Sequence, residues 1–158
     1  MIAASSKTRL FSSAARISWS SRLRLDRNAL IDVHPEVEEA IQSRKPVVAL
    51  ETTIVTHGMP FPTNLETAQS LEKIVRGTGS VPATIGVIAG RVKVGLEPSE
   101  LERLADTSAN PSLVKISRRD IGPVLAMKRD GGTTCSATLI VAALAGIKVS
   151  FGRVRNYR

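Results

Sequence analysis

Apolar segments with strand character alternate with amphipathic helices along this chain, and this alternation constrains its fold more than any other feature. The apolar run that begins at Val47 predicts a strand over about 47–55, and Ala83–Ala89 predicts another. Between them, Leu65–Arg76 has apolar residues at helical spacing, with Asn64 as its expected N-cap. Strands separated by helices predict an α/β sheet with helices packed on its faces.

The rest of the chain continues the pattern. Further strands are predicted at Arg91–Gly95, Leu113–Ser117 and from Lys148, and further helices over 34–44, Pro98–Leu104, part of Arg119–Arg129 and Thr133–Ala145. Gly131 and Gly132 are expected to form a loop that opens the last of these helices. No internal repeat is visible.

The composition excludes several classes of protein. Aromatic residues make up only 3% of the chain, too few for a surface on which nucleic-acid bases stack. No apolar run is long enough to span a bilayer, so no membrane partner is expected. The single cysteine, Cys135, excludes an internal disulfide framework and favours a reducing compartment.

The positive net charge of +8 belongs to the two ends of the chain. Residues 1–27 contain six basic residues and one acid, and residues 153–158 contain three arginines, so the intervening segment has 13 basic and 13 acidic residues. The N-terminal segment is also rich in serine, which is typical of a mitochondrial transit peptide. We therefore expect residues 1–30 to be a presequence and the protein to be mitochondrial; a disordered basic tail or a misassigned start codon is the alternative.

Glu51 is a carboxylate within the first predicted strand, where its desolvation is costly without a partner or a function. As a structural residue it would cap a helix or pair with an arginine. As a catalytic acid it would have its pKa raised by the apolar surroundings and hold a proton for delivery. Its position near a strand end favours the catalytic role. For the nearby His57, a hydrogen bond within the turn is a better interpretation than a titrating catalytic group.

Two later segments have features of an anion site. Lys115, Arg118 and Arg119 place three cations at a predicted strand end, where they could bind a phosphate, unless Asp120 already neutralises one of them. The segment from Gly131 to Thr138 combines glycines and hydroxyls at a helix start, where backbone N–H groups suit an anion. It lacks the ending of a P-loop, and its small residues could equally serve close packing.

Five blocks of the chain, in order and with compatible spacing, resemble the pseudouridine-5′-phosphate glycosidase family, also called indigoidine synthase A-like. They are Pro46–Pro60, Val81–Ile85, Val92–Leu96, Lys115–Asp120 and Gly132–Val149. The resemblance covers residues 31–149, which we expect to form the N-terminal part of the family's domain. Residues 150–158 depart from the family pattern.

The resemblance implies an enzyme that cleaves the C–C glycosidic bond of pseudouridine 5′-phosphate to uracil and ribose 5-phosphate. It implies an α/β/α layered fold with a central, largely parallel sheet, a homotrimer and a manganese ion. Glu51 matches the family's proton donor, and Lys115 and Cys135 match substrate-binding positions. Thr133, Thr134, Arg118 and Arg119 are the further substrate-binding residues that we predict.

The family also uses a lysine that forms a Schiff base and an acidic metal ligand, both of which follow the matched segment. We therefore expect this chain to lack both, the sheet to be incomplete on its C-terminal side, and catalysis by the chain alone to be weak or absent. The alternative is a non-catalytic fragment that binds a sugar phosphate or assembles with other subunits.

Overall fold

The computed structural model describes residues 30–152. Their order is β1 (Ile31–Val33), α1 (Pro35–Gln42), β2 (Val47–Leu50), α2 (Thr53–His57), α3 (Thr63–Gly77), β3 (Val81–Ile88), β4 (Arg91–Val94), α4 (Pro98–Ala105), β5 (Val114–Ile116), a 3₁₀ turn (Arg118–Asp120), α5 (Ile121–Ala126), β6 (Gly131–Thr133), α6 (Cys135–Ala145) and β7 (Val149–Phe151). Among these helices, none has the length and apolar character needed to cross a membrane.

The strands form one seven-stranded sheet organised around β3. Its order is β1-β4-β3-β2-β7 on one path, and β6 pairs with both β3 and β5. The pairs β1–β4, β2–β3, β2–β7 and β5–β6 are parallel, whereas β4 and β6 run antiparallel to β3. The expected α/β fold with a largely parallel sheet is therefore confirmed.

The larger core lies on the face of the sheet covered by α1, α5 and α6. Along β3, Ala83, Ile85 and Val87 contribute to it, together with Val37 of α1 and Val141 of α6. These strand residues alternate in sequence, so they project from one face.

The opposite face is covered by α2, α3 and α4. A second cluster joins residues of these helices: Val55, Ala68, Leu101 and Ala105. The intervening positions of β3 face this layer, since a Cβ placed on Gly86 would lie 2.7 Å from Cδ1 of Leu104. The molecule therefore has the expected three layers, helices, sheet and helices.

The first predicted strand is wrong in its second half. We expected a strand over 47–55, but β2 ends at Leu50 and Thr53–His57 forms α2. The β-branched residues of this segment favour a strand by propensity, whereas burial of Val55 against α3 and α4 requires the chain to turn away from the sheet.

The expected N-cap role of Asn64 is also wrong. Helix α3 begins at Thr63, and Asn64 is buried within its first turn. Its side-chain amide donates to the carbonyl oxygens of Val55 at 2.6 Å and Ala105 at 2.8 Å. Asn64 thus satisfies the last turns of two neighbouring helices and ties α2, α3 and α4 together.

Candidate active site

The carboxyl ends of four strands converge at one place in the sheet. Strand β2 pairs with the first half of β3, Val81–Thr84, and runs parallel to it. Strand β6 pairs with Gly86 and Val87 of β3 and runs antiparallel to it, so β2 and β6 point towards each other. Because β7 is parallel to β2 and β5 is parallel to β6, their carboxyl ends lie at the same junction. Ligands of α/β sheets commonly bind beyond strand carboxyl ends.

Thr52 and Thr133 hydrogen-bond to each other inside this junction. The backbone N–H of Thr133 donates to Oγ1 of Thr52 at 2.9 Å, and the N–H of Thr52 donates to the carbonyl of Thr133 at 3.2 Å. Both hydroxyls donate to the carbonyl oxygen of Ile85, at 2.7 and 2.8 Å. The strand ends are therefore joined directly, without a water-filled gap between them.

The Thr133 side chain does not face the junction's open side, as a substrate contact would. It is 1% exposed, and its hydroxyl also contacts that of Thr138 at 2.9 Å. Its hydrogen-bonding capacity is used inside the protein. Thr133 therefore has a structural position at the end of β6, while its predicted role in substrate binding stays a prediction.

Glu51 lies immediately after β2, partly buried, and not within the strand as expected. It adjoins the start of α6 and the end of β7. A Cβ placed on Gly152 would lie 3.3 Å from Oε1 of Glu51 and 3.4 Å from Sγ of Cys135. The structure thus brings Glu51 and Cys135, two predicted site residues from distant parts of the sequence, beside the same glycine.

The predicted loop at Gly131 and Gly132 is a strand, β6, and these glycines are required by packing. A Cβ on Gly131 would lie 2.4 Å from the carbonyl oxygen of Val114, and one on Gly132 would lie 2.2 Å from Oγ1 of Thr56. No other residue type could occupy either position without displacing its neighbours. The loop prediction is wrong because it was based on the low strand propensity of glycine. In this strand, close packing admits no residue larger than glycine.

Helix α6 starts directly after this strand. Thr134 is its N-cap, but the hydroxyl of Thr134 lies 3.1 Å from the hydroxyl of Ser136 and makes no capping hydrogen bond to the helix. The Thr134 N–H donates to the carbonyl of Ile116 at 2.9 Å, which fixes the helix start against β5. The first-turn N–H groups of α6 therefore lie beside Glu51, where they can bind an anionic or carbonyl oxygen.

Lys115 lies in the middle of β5 with an exposed side chain, and Arg118 and Arg119 follow in the exposed 3₁₀ turn. Asp120 does not tightly neutralise them. Its Oδ1 is 3.8 Å from Nε of Arg119, while its other oxygen accepts from the backbone N–H and the hydroxyl of Ser117 at 2.9 and 2.5 Å. These Ser117 hydrogen bonds lower the pKa of Asp120. The cations remain available to solvent at the strand end.

His57 ends α2, and its side chain makes the local hydrogen bond that the sequence favoured. Its Nδ1 lies 2.7 Å from Oγ1 of Thr56. Partial burial lowers the pKa of His57, and the positive charge of Lys115 lowers it further. This influence of Lys115 could not be predicted from the sequence, because 57 residues lie between the two along the chain.

A separate cleft of about 290 Å³ lies between α1, α3 and α4. Polar side chains pair across this cleft: Nε2 of His34 lies 2.9 Å from Glu97, and Arg76 forms a bidentate pair with Glu36. The predicted site residues lie elsewhere. We therefore place the candidate active site at the strand junction.

The described part of the chain does not fit a manganese ion. Within residues 30–152, no group of three or more His, Cys, Asp or Glu side chains is arranged to hold a metal. Manganese is bound through such oxygen-rich or nitrogen-containing sets of ligands. No step is assigned to a metal at the strand junction.

This arrangement has matches among known proteins. The family model described as indigoidine synthase A like protein matches residues 36–152. The chain belongs to this family. The resemblance found in the sequence is thereby confirmed, and the family match includes the first residues after 149, which contribute to β7.

Curated relatives of this indigoidine synthase A-like chain are named pseudouridine-5′-phosphate glycosidase. The one from Hahella chejuensis is 52% identical over 122 residues, which are 77% of this chain and 40% of the relative. The one from Escherichia coli K12 is 51% identical over 120 residues, which are 76% of this chain and 38% of the relative. The chain therefore spans about two fifths of the length of these relatives.

Two solved structures share the fold of this indigoidine synthase A-like chain. The prealnumycin C-glycosynthase AlnA, in complex with ribulose 5-phosphate, is 44% identical with a TM-score of 0.67. An indigoidine synthase A-like protein from Thermotoga maritima is 30% identical with a TM-score of 0.65. Each match covers 77% of this chain and 38% of the solved chain.

Proposed function

We propose that this chain provides the proton donor and the sugar-phosphate contacts of a pseudouridine-5′-phosphate glycosidase. The observation that carries the proposal is the position of Glu51 at the junction of strand ends, beside Cys135 and the start of α6. The relatives' name supports the reaction, and the ribulose 5-phosphate bound to the C-glycosynthase supports a pentose phosphate as ligand.

In this proposal Glu51 delivers a proton to the uracil carbon, which keeps the electron pair of its bond to the sugar as that bond breaks. The sugar carbon would be bound by the Schiff-base lysine that the family resemblance implies, and water would then release ribose 5-phosphate. A carboxyl group is a suitable general acid when it lies within hydrogen-bonding reach of the leaving group. Its position past the end of β2 makes it accessible to a ligand, while Gly152 leaves space beside it, since a Cβ there would lie 3.2 Å from its Cδ.

The phosphate is bound in this proposal by Lys115, Arg118 and Arg119. All three are exposed, and Lys115 lies on the strand that adjoins β6 at the junction. The backbone N–H groups of Cys135 and Ser136 add donors, so the side chain of Cys135 need not contact the substrate. A lysine point charge, arginine forks and helix N–H groups are the usual ligands of a phosphate.

The activity test uses a chimera of the Escherichia coli relative in which residues 36–152 of this chain replace the matching segment. We expect it to release uracil from pseudouridine 5′-phosphate, and E51Q to lower the rate about 10²–10⁴-fold. The matched control is E102Q, on the exposed side of α4, which should retain the rate. A folded chimera with equal rates for both variants would contradict the role of Glu51.

Binding without turnover is the second candidate function, favoured by the lack of a metal-ligand cluster among residues 30–152. The unaltered chain then binds ribose 5-phosphate but releases no uracil. We expect this outcome for the chain on its own; uracil release from the purified chain, with added Mn²⁺, would instead show that it is an active glycosidase by itself.

The homotrimer and the mitochondrial presequence are further parts of the proposal, and a manganese ion would need ligands other than those of residues 30–152. They rest on the family resemblance and on the composition of residues 1–30, of which 1–29 lie outside the described residues. Fusion of residues 1–30 to a fluorescent protein tests the localisation. Uniform cytosolic fluorescence would contradict it.

A further inference from the structure

The register of the β5–β6 pair shows which helical layer Lys115 faces. Lys115 is in register with Gly132, and residues in register on adjacent strands project from the same face of a sheet. A Cβ on Gly132 would lie 2.2 Å from Oγ1 of Thr56, so this face is covered by α2. Lys115 therefore projects towards the layer in which His57 follows Thr56.

The hydrogen bonds of Thr56 are compatible with a proton on Nδ1 of His57. The Thr56 hydroxyl can donate its single hydrogen to the carbonyl oxygen of Thr52 at 3.2 Å. With its hydrogen so placed, the hydroxyl accepts from Nδ1 of His57, at 2.7 Å. We assign the neutral imidazole to this tautomer, in which Nε2 is the unprotonated nitrogen.

Few other charges act on His57. The other elements packed against α2 are α3, α4 and β6, and β6 has no titratable side chain. Four charged residues of α3 and α4 are engaged elsewhere: Glu72 with Thr84, Arg76 with Glu36, Glu100 with Lys93, and Arg103 with Asp130. The other three, Glu66, Lys73 and Glu102, are exposed to solvent. Among the described residues, Lys115 is the charged group that shifts the pKa of His57.

We propose that His57 is a second anion ligand beside Lys115 and takes up a proton at Nε2 when a phosphate group binds there. The inference rests on the proposed function, since it extends the phosphate site described above. The added proton lets Nε2 donate to a phosphate oxygen, while Nδ1 keeps its hydrogen bond to Thr56. The bound ligand is a phosphate monoester or inorganic phosphate.

The electrostatics of the free protein agree with this coupling. Burial and the charge of Lys115 hold the pKa of His57 below its ordinary value, so the imidazole is neutral near pH 7 before a ligand binds. A dianion placed between the two groups reverses this effect, because it favours the charged imidazole. Binding then includes the uptake of one proton and weakens as the pH rises.

The test uses sulfate as a probe, because sulfate stays a dianion across the relevant pH range, whereas a phosphate monoester titrates near pH 6. Calorimetric titrations in buffers of different ionisation enthalpy measure proton uptake. We expect up to one proton per sulfate and an affinity that falls up to tenfold per pH unit above the pKa of free His57. The imidazole NMR signal of His57 should shift to that of the charged ring on binding.

The variants separate this inference from the proposed function. H57N retains a side-chain N–H at the position of Nδ1 but cannot titrate, so sulfate binding should become independent of pH and lose its proton uptake. H34N is the matched control, because His34 accepts from the N–H of Glu36 in the other cleft. It should behave as the unaltered protein. Sulfate binding at Lys115 with no proton uptake would overturn the role of His57 and leave the proposed function standing.

Two further outcomes are decisive. Ribose 5-phosphate should displace sulfate, and simultaneous binding of both would contradict the assignment of this site to a phosphoester. If neither the unaltered protein nor K115M binds sulfate, both the His57 inference and the phosphate role of Lys115 are overturned.

Discussion

Thr52 and Thr133 join the ends of two strands that run towards each other, through a pair of hydrogen bonds of 2.9 and 3.2 Å. Both residues are almost fully buried. T52V keeps the shape of the side chain but leaves the Thr133 N–H without its acceptor. We expect a loss of about 1–3 kcal/mol in the free energy of unfolding, measured by urea denaturation. T107V, at an exposed loop position, is the control and should change stability little.

Gly132 makes room for α2 on the sheet. G132A should destabilise the protein by at least about 2 kcal/mol, because its Cβ would lie 2.2 Å from Oγ1 of Thr56 and 2.8 Å from the carbonyl oxygen of Thr52. G122A is the matched control, since a Cβ on Gly122 in α5 meets no atom within 4 Å. Equal thermal unfolding of the two variants would contradict the packing described here.

The β3–β4 hairpin turns through Ala89 and Gly90, both with positive φ, at 49° and 75°. Alanine is strained in this left-handed region, whereas asparagine adopts it readily in two-residue hairpin turns. We therefore expect A89N to stabilise the protein by about 0.5–1 kcal/mol in urea denaturation. A109N, in an exposed loop without positive φ, should have no such effect. A loss of stability in A89N alone would be inconsistent with this turn.

Asp32 links β1 to its neighbour β4. Its hydrogen bond with Arg91 lowers the pKa of the carboxyl to about 2, assisted by Lys93. The folded-state pKa lies below the unfolded value of about 4, so the stabilisation is present above that pH and is lost as the pH falls towards 2. D32N should cost under about 1 kcal/mol near pH 7, since the pair is partly solvated.

The pH dependence of this effect is the decisive measurement. The difference in unfolding free energy between D32N and the unaltered protein should shrink between pH 4 and about 2. A difference that stays constant over this range would show that the ion pair does not contribute through the charge of Asp32.

The sequence was sufficient to predict the layers and most elements, because amphipathic spacing in α3 and α4 and apolar runs in β2 and β3 reflect burial directly. The predicted site residues Glu51, Lys115 and Cys135 lie near the converging strand ends, and their roles stay predictions. The sequence did not predict β6, since two glycines have no strand propensity. Glycine is required at these positions because Val114 and Thr56, which are distant in sequence, pack closely against them. The same error placed Thr133 in a helix, whereas it is the last residue of β6.

The effect of Lys115 on His57 could likewise not be predicted from the sequence. It depends on the register of β5 with β6 and on the short helix α2. The β-branched residues before His57 predicted a strand in place of this helix. Local propensity describes a segment on its own, whereas these contacts are set by its neighbours across the sheet.

The most direct test of the central account is to map ribose 5-phosphate onto the ¹⁵N-labelled chain by NMR. We predict that amide shifts concentrate at Glu51, at Lys115–Arg119 and at Thr134–Ser136, and that K115M weakens them together. Shifts confined to the cleft between His34 and Arg76, or no shifts at millimolar ligand, would contradict a sugar-phosphate site at the junction of the strand ends.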